Sequence, residues 1–192
     1  MGISIYLVRH GIPDLPYEGH RFLGLTDYPL AEEGRTALSE TRAFFEGRDV
    51  LRVYSSPLSR AHETAREIFG AERHIELVPA FMEIGMGEWE GLTIEELDER
   101  NPGEYALREK NMDSYAPPGG ESFLDVQNRV MAALADISVP GGDAAVFTHS
   151  GVIRCVVCML SGIPMNDIFT VDVPYGGITH LVAEEDGLRL VP

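Results

Sequence analysis

Cysteine is scarce in this chain, which has only Cys155 and Cys158 among its 192 residues. Two cysteines three positions apart cannot build a disulfide framework. A zinc site of the usual kind needs further cysteine or histidine ligands, and no second pair is present. We therefore expect two thiols packed in the core.

Basic residues are also few, with 15 lysines and arginines against 31 aspartates and glutamates and a formal net charge of −16. So acidic a surface repels polyanions, whereas nucleic-acid-binding proteins present basic grooves or patches. We therefore do not expect nucleic acid as a partner.

Long apolar runs are missing, since no stretch approaches the ~20 consecutive apolar residues that span a bilayer. The sequence MGISIYLVRHG leads directly into a strand pattern and has no signal-peptide pattern. We expect a cytoplasmic protein that does not contact a membrane.

Short apolar runs alternate with helical patterns along the chain. Strands are predicted at residues 3–8, 51–55, 74–78, 143–148, 168–173, 178–183 and 188–191. Helices are predicted through residues 38–45 and at 57–69, 93–100, 121–137 and 152–160, with no clear period over 101–120. This alternation predicts an α/β fold, a three-layer α/β/α sandwich with a mostly parallel central sheet. We expect a single domain over residues 1–192, with a small cap-like region around residues 80–120.

Polar side chains stand where the predicted strands end. In an open α/β sheet, ligands bind beyond the carboxyl ends of the strands, so these residues are the first site candidates. They are Arg9, His10, Arg60, Glu83, His149 and Ser150. A set of two histidines, two arginines and a glutamate suits phosphoryl transfer from a phosphate monoester.

His10 and Glu83 are the candidates for the bond-making steps. A neutral imidazole is a good nucleophile near pH 7, and attack on phosphorus splits one difficult displacement into two easier ones. The leaving alkoxide needs a proton, which Glu83 can supply if its carboxyl is protonated before attack. His10 is therefore the expected nucleophile and Glu83 the expected general acid.

The remaining candidates are suited to holding the phosphate. Arg9 and Arg60 offer planar forks that bind phosphate oxygens and offset charge in the transition state. His149 adds a further contact, and the free backbone amides of the helix that begins near Ser150 favour an anion.

Four segments, LVRHG, SSPLSRAHETA, EIGMGEWEGLT and FTHSGVIR, occur in this order and at this spacing. In these segments, which span residues 3–160, the chain resembles the histidine phosphatase superfamily, also called the phosphoglycerate mutase-like family. The resemblance implies a phosphohistidine on His10, a phosphate pocket of Arg9, Arg60 and His149, and Glu83 as general acid and then base. It also implies that no metal and no organic cofactor takes part.

The chain departs from the family pattern after the first segment. The family commonly has a phosphate-contacting asparagine in this region, whereas Gly11 is followed here by Ile12-Pro13-Asp14. We expect Asp14 to face away from the phosphate and His20 or Arg21 to supply the missing donor.

Aromatic and apolar residues near these segments are candidates for a substrate pocket that accepts a nucleoside-like or aromatic leaving group. The candidate pocket residues are Tyr17, His20, Arg21, Phe22, Met86, Trp89 and Tyr115. Core packing explains Met86, Trp89 and Tyr115 about as well.

The expected function is hydrolysis of a small-molecule phosphate monoester. Compact size and a short cap resemble alpha-ribazole phosphatases and broad-specificity phosphatases of small metabolites, so alpha-ribazole 5′-phosphate is one candidate substrate. A cofactor-dependent phosphoglycerate mutase is the first alternative, but residues 92–120 lack the paired arginines that such mutases carry. A non-catalytic binding domain is the second alternative. The sequence leaves a monomer and a homodimer equally open.

Overall fold

The structure, a computed structural model, describes residues 2–191. Its strands are β1 (Ile3–Arg9), β2 (Val50–Ser55), β3 (Glu76–Leu77), β4 (Asp143–Thr148), β5 (Ile178–Glu184) and β6 (Gly187–Leu190). Its α-helices are α1 (Glu32–Thr36), α2 (Ser39–Phe45), α3 (Ser59–Phe69), α4 (Ile94–Arg100), α5 (Glu104–Lys110), α6 (Phe123–Ile137) and α7 (Ser150–Ser161). Short 3₁₀ helices span Pro79–Phe81, Gly87–Trp89 and Met165–Thr170.

The strands form one sheet in the order β3-β2-β4-β1-β5-β6. Strands β3, β2, β4 and β1 run parallel, whereas β5 pairs antiparallel with β1, and β6 pairs antiparallel with β5. The middles of β1 and β4 are buried apolar runs, as expected of central strands that are covered on both faces. The sheet is therefore mostly parallel, as the sequence predicts.

Successive residues of β1 face two separate apolar clusters. Ile5 and Leu7 pack in a cluster that includes residues of α6 and α7. Tyr6 and Val8 pack in a second cluster, which includes residues of α2 and α3. Because neighbouring side chains on a strand point to opposite faces, helices cover both sides of the sheet. The predicted three-layer α/β/α architecture is confirmed.

The register of the sheet brings three strand ends together. Arg9 at the end of β1 pairs with Thr148 at the end of β4, and β2 ends beside β4 at Ser55. The residues that directly follow these strands are His10, Ser56 and His149. This edge of the sheet is where the structure gathers the polar candidates.

Two helices begin at capping boxes. Glu96 N donates to Thr93 Oγ1 at 3.1 Å, and Thr93 N donates to the Glu96 carboxylate at 3.0 Å. Ser122 and Asp125 make the same reciprocal pair. Such pairs satisfy backbone donors that the first turn leaves unpaired. Helix α6 therefore starts after Ser122, slightly later than the predicted start at Glu121.

The strand predicted at residues 168–173 is wrong, because the 3₁₀ helix Met165–Thr170 occupies most of that segment. Pro164 precedes this helix, and its carbonyl accepts the N–H of Asp167 at 2.8 Å, which starts the turn. Strand β5 takes the position beside β1 in the sheet. The segment packs against α7 instead, with Ile168 buried.

Other elements also differ from prediction, among them the start of α3, the length of β3 and the presence of α5. The helix expected to start at Pro57 begins at Ser59, because Ser56 Oγ accepts the N–H of Leu58 at 3.2 Å and closes a turn there. Strand β3 has only two residues, within the predicted 74–78. Helix α5 lies in the region that lacked a clear period, since seven residues cover only two turns.

Over residues 2–191, no helix is both long enough and apolar enough to cross a membrane. The same part of the chain contains no group of three or more His, Cys, Asp and Glu side chains placed to hold a metal ion. Cys155 and Cys158 are both buried and unpaired, as expected of core thiols.

Candidate active site

His10 lies directly after β1 and is only 5% exposed. Its Nδ1 is 2.7 Å from the carbonyl oxygen of Gly11, which only accepts, so the ring hydrogen is on Nδ1 and Nε2 keeps its lone pair. Burial, followed by the positive charges of Arg60 and Arg9, lowers the pKa of His10 well below its usual 6.5. The imidazole is therefore neutral at pH 7.

His149 lies directly after β4 and is fully buried behind His10. The two ring centroids are 5.1 Å apart. His149 Nε2 lies 2.8 Å from Ser56 Oγ, whereas Nδ1 is buried without a partner in the described chain. Burial and then the neighbouring His10 lower the pKa of His149 well below its usual value. This ring is also neutral at pH 7.

Arg9 is held from two sides at the end of β1. Its Nη1 donates to the carbonyl of Val173 at 2.6 Å, and its guanidinium lies 3.7 Å from the ring centroid of Tyr175. The Nε hydrogen is buried and has no partner within the described chain. Burial lowers the pKa of Arg9, an effect that Tyr175 and Glu83 partly offset.

Arg60 lies in the first turn of α3 and is 1% exposed. Its Nη1 donates to the carbonyl of Thr26 at 2.9 Å and its Nη2 to the carbonyl of Gly24 at 2.7 Å. Each terminal nitrogen carries a second hydrogen, and Nε is buried without a partner in residues 2–191. Burial lowers the pKa of Arg60, and Glu83 partly offsets this.

Glu83 is 7% exposed and reaches the start of α7. Its Oε1 accepts the N–H of Ile84 at 3.0 Å, and its Oε2 accepts the N–H of Gly151 at 3.1 Å. Ser150 Oγ is 3.5 Å from Oε2. Backbone donors therefore fix the carboxylate beside the two residues that open the helix.

Arg129 of α6 holds the segment that carries Glu83. It donates to the carbonyls of Ala80 at 2.6 Å, Met82 at 2.8 Å and Glu83 at 3.1 Å. Its Nε also donates to Glu121 at 2.8 Å. A short segment without regular structure is thus tied to the long helix behind it. The sequence analysis missed this arginine because the partners it joins are about 45 positions away.

A cavity of about 190 Å³ opens where these side chains meet, and we call it the phosphate cavity. The predicted residues that line it are Arg9, His10, Arg60, Glu83 and Ser150. His149 is not in its lining, because the ring lies behind His10. The structure therefore brings the strand-end candidates together around one cavity. His10 is in the wall of this cavity, and His149 is next to it but outside the wall.

Tyr17, His20 and Arg21 also line the phosphate cavity. Arg21 already donates to Glu96 at 2.6 Å and to the carbonyl of Gly91 at 2.8 Å, which leaves it less free to replace the missing asparagine. Asp14 is exposed and is not in the lining of this cavity, in line with the expectation that it faces away.

A second cavity of about 230 Å³ adjoins the first and shares Arg21, Leu23, Glu83 and Ser150 with it. Phe22 and Met86, two of the predicted pocket residues, line this second cavity.

Trp89 and Tyr115 were predicted pocket residues but are in the lining of neither cavity. Trp89 is 2% exposed, and its ring lies 5.3 Å from that of Phe22 and 5.6 Å from that of Tyr115. Trp89 therefore supports Phe22 from the core, and Tyr115 packs on Trp89 while its hydroxyl donates to Glu104.

The sequence analysis missed several wall residues. Tyr175 of the phosphate cavity has its ring 5.6 Å from that of His10. Tyr175 precedes β5, which pairs with β1. This position before a strand is the feature of the sequence that could have indicated it as a wall residue. Arg108 and Arg154 also line the second cavity. No motif marks Arg108, and Arg154 ends the segment FTHSGVIR but was given no role in the sequence analysis.

Comparison with known proteins agrees with this geometry. The sequence pattern described as histidine phosphatase superfamily (branch 1) matches residues 5–192. A Caenorhabditis elegans 6-phosphofructo-2-kinase/fructose-2,6-bisphosphatase is 33% identical over 180 residues, which cover 93% of this chain and 38% of that protein. The chain thus spans well under half the length of that relative.

Solved structures show the same fold over nearly the whole chain. A mycobacterial glucosyl-3-phosphoglycerate phosphatase is 25% identical with a TM-score of 0.82, covering 100% of this chain and 97% of the other. The alpha-ribazole phosphatase from Shigella flexneri is 22% identical with a TM-score of 0.84, covering 98% and 95%, and shows the fold alone. The resemblance noted from the four segments is confirmed, and the chain belongs to the histidine phosphatase superfamily.

Proposed function

We propose that this protein is a phosphomonoesterase that transfers the phosphoryl group of a small-molecule monoester first to His10 and then to water, with no metal or organic cofactor. One observation carries the proposal. His10 is a neutral imidazole whose Nδ1 hydrogen is committed to Gly11, and it lines a cavity whose wall also contains Arg9 and Arg60. Its Nε2 lone pair is therefore available at the point where two cations favour a phosphate.

In the first step, the Nε2 lone pair of His10 forms a bond to phosphorus while the bond from phosphorus to the ester oxygen breaks. The ester oxygen leaves with the electron pair and takes a proton from the Glu83 carboxyl. The products are phosphohistidine and the free alcohol. Glu83 is then a carboxylate, the form that suits its two backbone N–H donors.

In the second step, a water molecule attacks phosphorus and gives its proton to Glu83. The bond from phosphorus to nitrogen breaks, and its electron pair returns to His10 Nε2. Inorganic phosphate leaves, and both residues are restored to their starting states. One carboxyl thus serves as acid and then as base.

Charge on the phosphoryl oxygens is balanced by groups on three elements. Arg9 and Arg60 supply guanidinium hydrogens. The N–H of Ser150, the first residue of the 12-residue helix α7, supplies a backbone donor, since the N–H of Gly151 is bound to Glu83.

His149 is neutral and outside the cavity lining, so it adds no charge, but its ring centroid lies 5.1 Å from that of His10 and it can offer one hydrogen bond. If the Ser56 hydroxyl donates to Nε2, the hydrogen of His149 lies on Nδ1, the nitrogen without a partner in the described chain.

The substrate class that we propose is a small phosphate monoester, with alpha-ribazole 5′-phosphate as one candidate. The relatives with similar chains are named as phosphatases of different small phosphate compounds. We also propose a cytoplasmic location, which suits two buried free thiols.

The mechanism is tested by hydrolysis of 4-nitrophenyl phosphate with excess EDTA. We expect full activity in the chelator and loss by at least about 10³-fold in His10→Ala. His74→Ala is the matched control, since His74 is exposed beside β3 and lines neither cavity of the site. When the reaction of the wild type with ³²P-labelled substrate is quenched rapidly without acid, we expect the protein to carry the label as phosphohistidine. This label should be stable to alkali and released by acid. Activity that survives in His10→Ala would remove the proposal.

The substrate is tested by a panel on the purified protein. It contains alpha-ribazole 5′-phosphate, nucleoside monophosphates, sugar phosphates and 3-phosphoglycerate with and without 2,3-bisphosphoglycerate, assayed for free phosphate and isomerised product. If one compound releases phosphate far faster than all the others, that compound is identified as the substrate. Isomerised phosphoglycerate that requires the bisphosphate would show a mutase instead.

A further inference from the structure

The second cavity has the composition of a site for an organic anion. Its wall includes aromatic side chains from four parts of the chain, namely Phe22, Tyr105, Phe123 and Phe169. Besides Arg21, which is paired with Glu96, two further arginines, Arg108 and Arg154, lie among them. Because this cavity shares Glu83 and Ser150 with the phosphate cavity, a group bound in it would be attached to the phosphate through the ester oxygen.

Arg108 is the unusual member of this wall. It is 5% exposed, and its guanidinium carbon lies 5.5 Å from the ring centroid of Trp89 and 5.3 Å from that of Phe123. Its Nη1 reaches only the sulfur of Met86, at 3.9 Å, and its Nε is buried with no partner in residues 2–191. No carboxylate of the described chain forms an ion pair with it.

A buried guanidinium without an anion is costly, because it loses hydration and gains no compensating charge. Burial accordingly lowers the pKa of Arg108, and the nearby phenols of Tyr105 and Tyr115 offset this in part. A buried arginine for which the described chain provides no anion indicates a site whose anion comes from a bound ligand.

Other arginines of this chain give the comparison. Arg129, which holds backbone in place, has five acceptor contacts to carbonyls and to Glu121. Arg9 and Arg60, which line the phosphate cavity, each have a buried Nε without a partner in the described residues. Arg108 resembles the phosphate-cavity pair and not the structural arginine.

Arg154 adds a second cation to the same wall. Its Nε donates to the carbonyl of Val171 at 3.0 Å, and its guanidinium carbon lies 5.5 Å from the ring centroid of Phe169. That hydrogen bond fixes the side chain and leaves its terminal nitrogens available. Glu83, which serves the chemistry of the ester, is the only carboxylate in the lining of this cavity.

We propose that the second cavity binds the alcohol part of the substrate, and that Arg108, assisted by Arg154, selects an alcohol that carries a carboxylate on an apolar or ring-shaped body. The proposal rests on the proposed function, since it assigns the leaving group of that reaction. A carboxylate fits because its two oxygens match the planar fork of a guanidinium. The aromatic wall accounts for the apolar body.

The first test compares phenyl phosphate with 4-carboxyphenyl phosphate in the wild type, Arg108→Met and Arg100→Met. Methionine keeps an apolar side chain of similar length between the two rings. Arg100 is exposed at the end of α4 and lines neither cavity, so its variant controls for the loss of one positive charge. The two esters release phenols of different acidity. This difference is the same for every variant, so it cancels when the ratio of the two kcat/KM values is compared between variants.

We expect Arg108→Met to lower kcat/KM for the carboxylated ester by about 10- to 100-fold and for phenyl phosphate by less than about 3-fold. Arg100→Met should change neither value, and Arg154→Met should show a smaller loss in the same direction. Equal losses on both esters would assign Arg108 a purely structural role and overturn the proposal.

The second test does not require turnover. Calorimetry measures the binding of benzylphosphonate and 4-carboxybenzylphosphonate, neither of which is a phosphate ester. The carboxylate should strengthen binding by about 10-fold or more in the wild type, and this gain should vanish in Arg108→Met. Equal affinities in the wild type overturn the inference even if phenyl phosphate is hydrolysed. A gain without hydrolysis upholds the inference and rejects the proposed function. Because the wild-type comparison stands alone, the test holds even if Arg108→Met fails to fold.

Discussion

The Oε2 oxygen of Glu83 accepts a hydrogen bond from the backbone N–H of Gly151 at 3.1 Å, and only glycine allows this approach. A Cβ built on Gly151 would lie 2.4 Å from Oε1 of the same carboxylate and 3.2 Å from its carbon. The contact between the proposed acid and the start of α7 therefore depends on the absence of a side chain.

Gly151→Ala should displace the Glu83 carboxylate. We expect kcat on an alkyl phosphate, whose alkoxide needs a proton, to fall at least about 10-fold more than kcat on 4-nitrophenyl phosphate. Gly85→Ala is the matched control, because its Cβ would come no closer than 3.4 Å to Leu25. If both substrates slow equally in Gly151→Ala, Glu83 is not the proton donor.

Arg129→Met should weaken both the fold and the placement of Glu83. Three carbonyls and the Glu121 carboxylate lose their donor, so we expect the free energy of unfolding to fall by about 2–4 kcal/mol. Arg129→Lys keeps the charge but not the planar fork and should recover only part of this loss. Chemical denaturation measures stability, and the ratio of alkyl to 4-nitrophenyl turnover measures placement. An unchanged ratio in both variants would leave Arg129 with a role in stability alone.

The acidic limb of activity should lie below pH 6.5. His10 must be neutral to attack, and burial followed by the charge of Arg60 lowers its pKa well below the usual 6.5. Removing that charge in Arg60→Met raises the His10 pKa, so the acidic limb of kcat/KM should move to higher pH. Arg66→Met, an exposed change on the same helix, should leave the limb where it is. The ionisation of the substrate is the same for all three proteins. If the acidic limb of Arg60→Met lay at the same pH as that of the wild type, the limb would not report the protonation of His10.

Glu90→Gln should affect binding more than chemistry. The Glu90 carboxylate accepts the N–H groups of Gly24 at 2.8 Å and Thr26 at 3.1 Å, while Arg60 donates to the carbonyls of the same two residues. Both of these N–H groups donate to Oε1, and Oε2 accepts the N–H of Leu25 at 3.3 Å. A neutral amide oxygen is a weaker acceptor than a carboxylate, and the amide nitrogen cannot accept from Leu25, so the loop and Arg60 become less ordered. We expect KM to rise by about 5- to 20-fold with kcat within about 2-fold. The exposed Glu88→Gln is the control, and a fall in kcat alone would contradict the expectation.

Local patterns were sufficient for the sheet and for the residues at its edge. Alternation of short apolar runs with amphipathic helices predicts an α/β sandwich because the periods of strand and helix differ. The positions of His10 and His149 could be predicted because each residue directly follows a strand, and the end of the strand fixes where it lies. The prediction at 168–173 failed because the apolar residues of this segment suit either a strand or a turn, and its packing against α7 as a 3₁₀ helix is a tertiary feature.

Residues far from any strand end were not predictable in the same way. Trp89 has the sequence features of a pocket residue, yet it packs behind Phe22 because neighbouring aromatic rings enclose it. Arg108 lies in the segment 101–120, whose sequence has no clear period, and its burial depends on Trp89 and Phe123, which lie 19 and 15 positions away.

The sequence by itself determined the family, most of the strands and helices, and the charged and histidine side chains of the phosphate cavity, because these depend on local periods and on motifs at strand ends. The tertiary structure decided which hydrogen bonds those side chains make, which aromatic residues face a cavity, and that Arg108 lies buried without a carboxylate. Such outcomes depend on packing between segments distant in the chain, where the environment of a side chain is set by its neighbours in space.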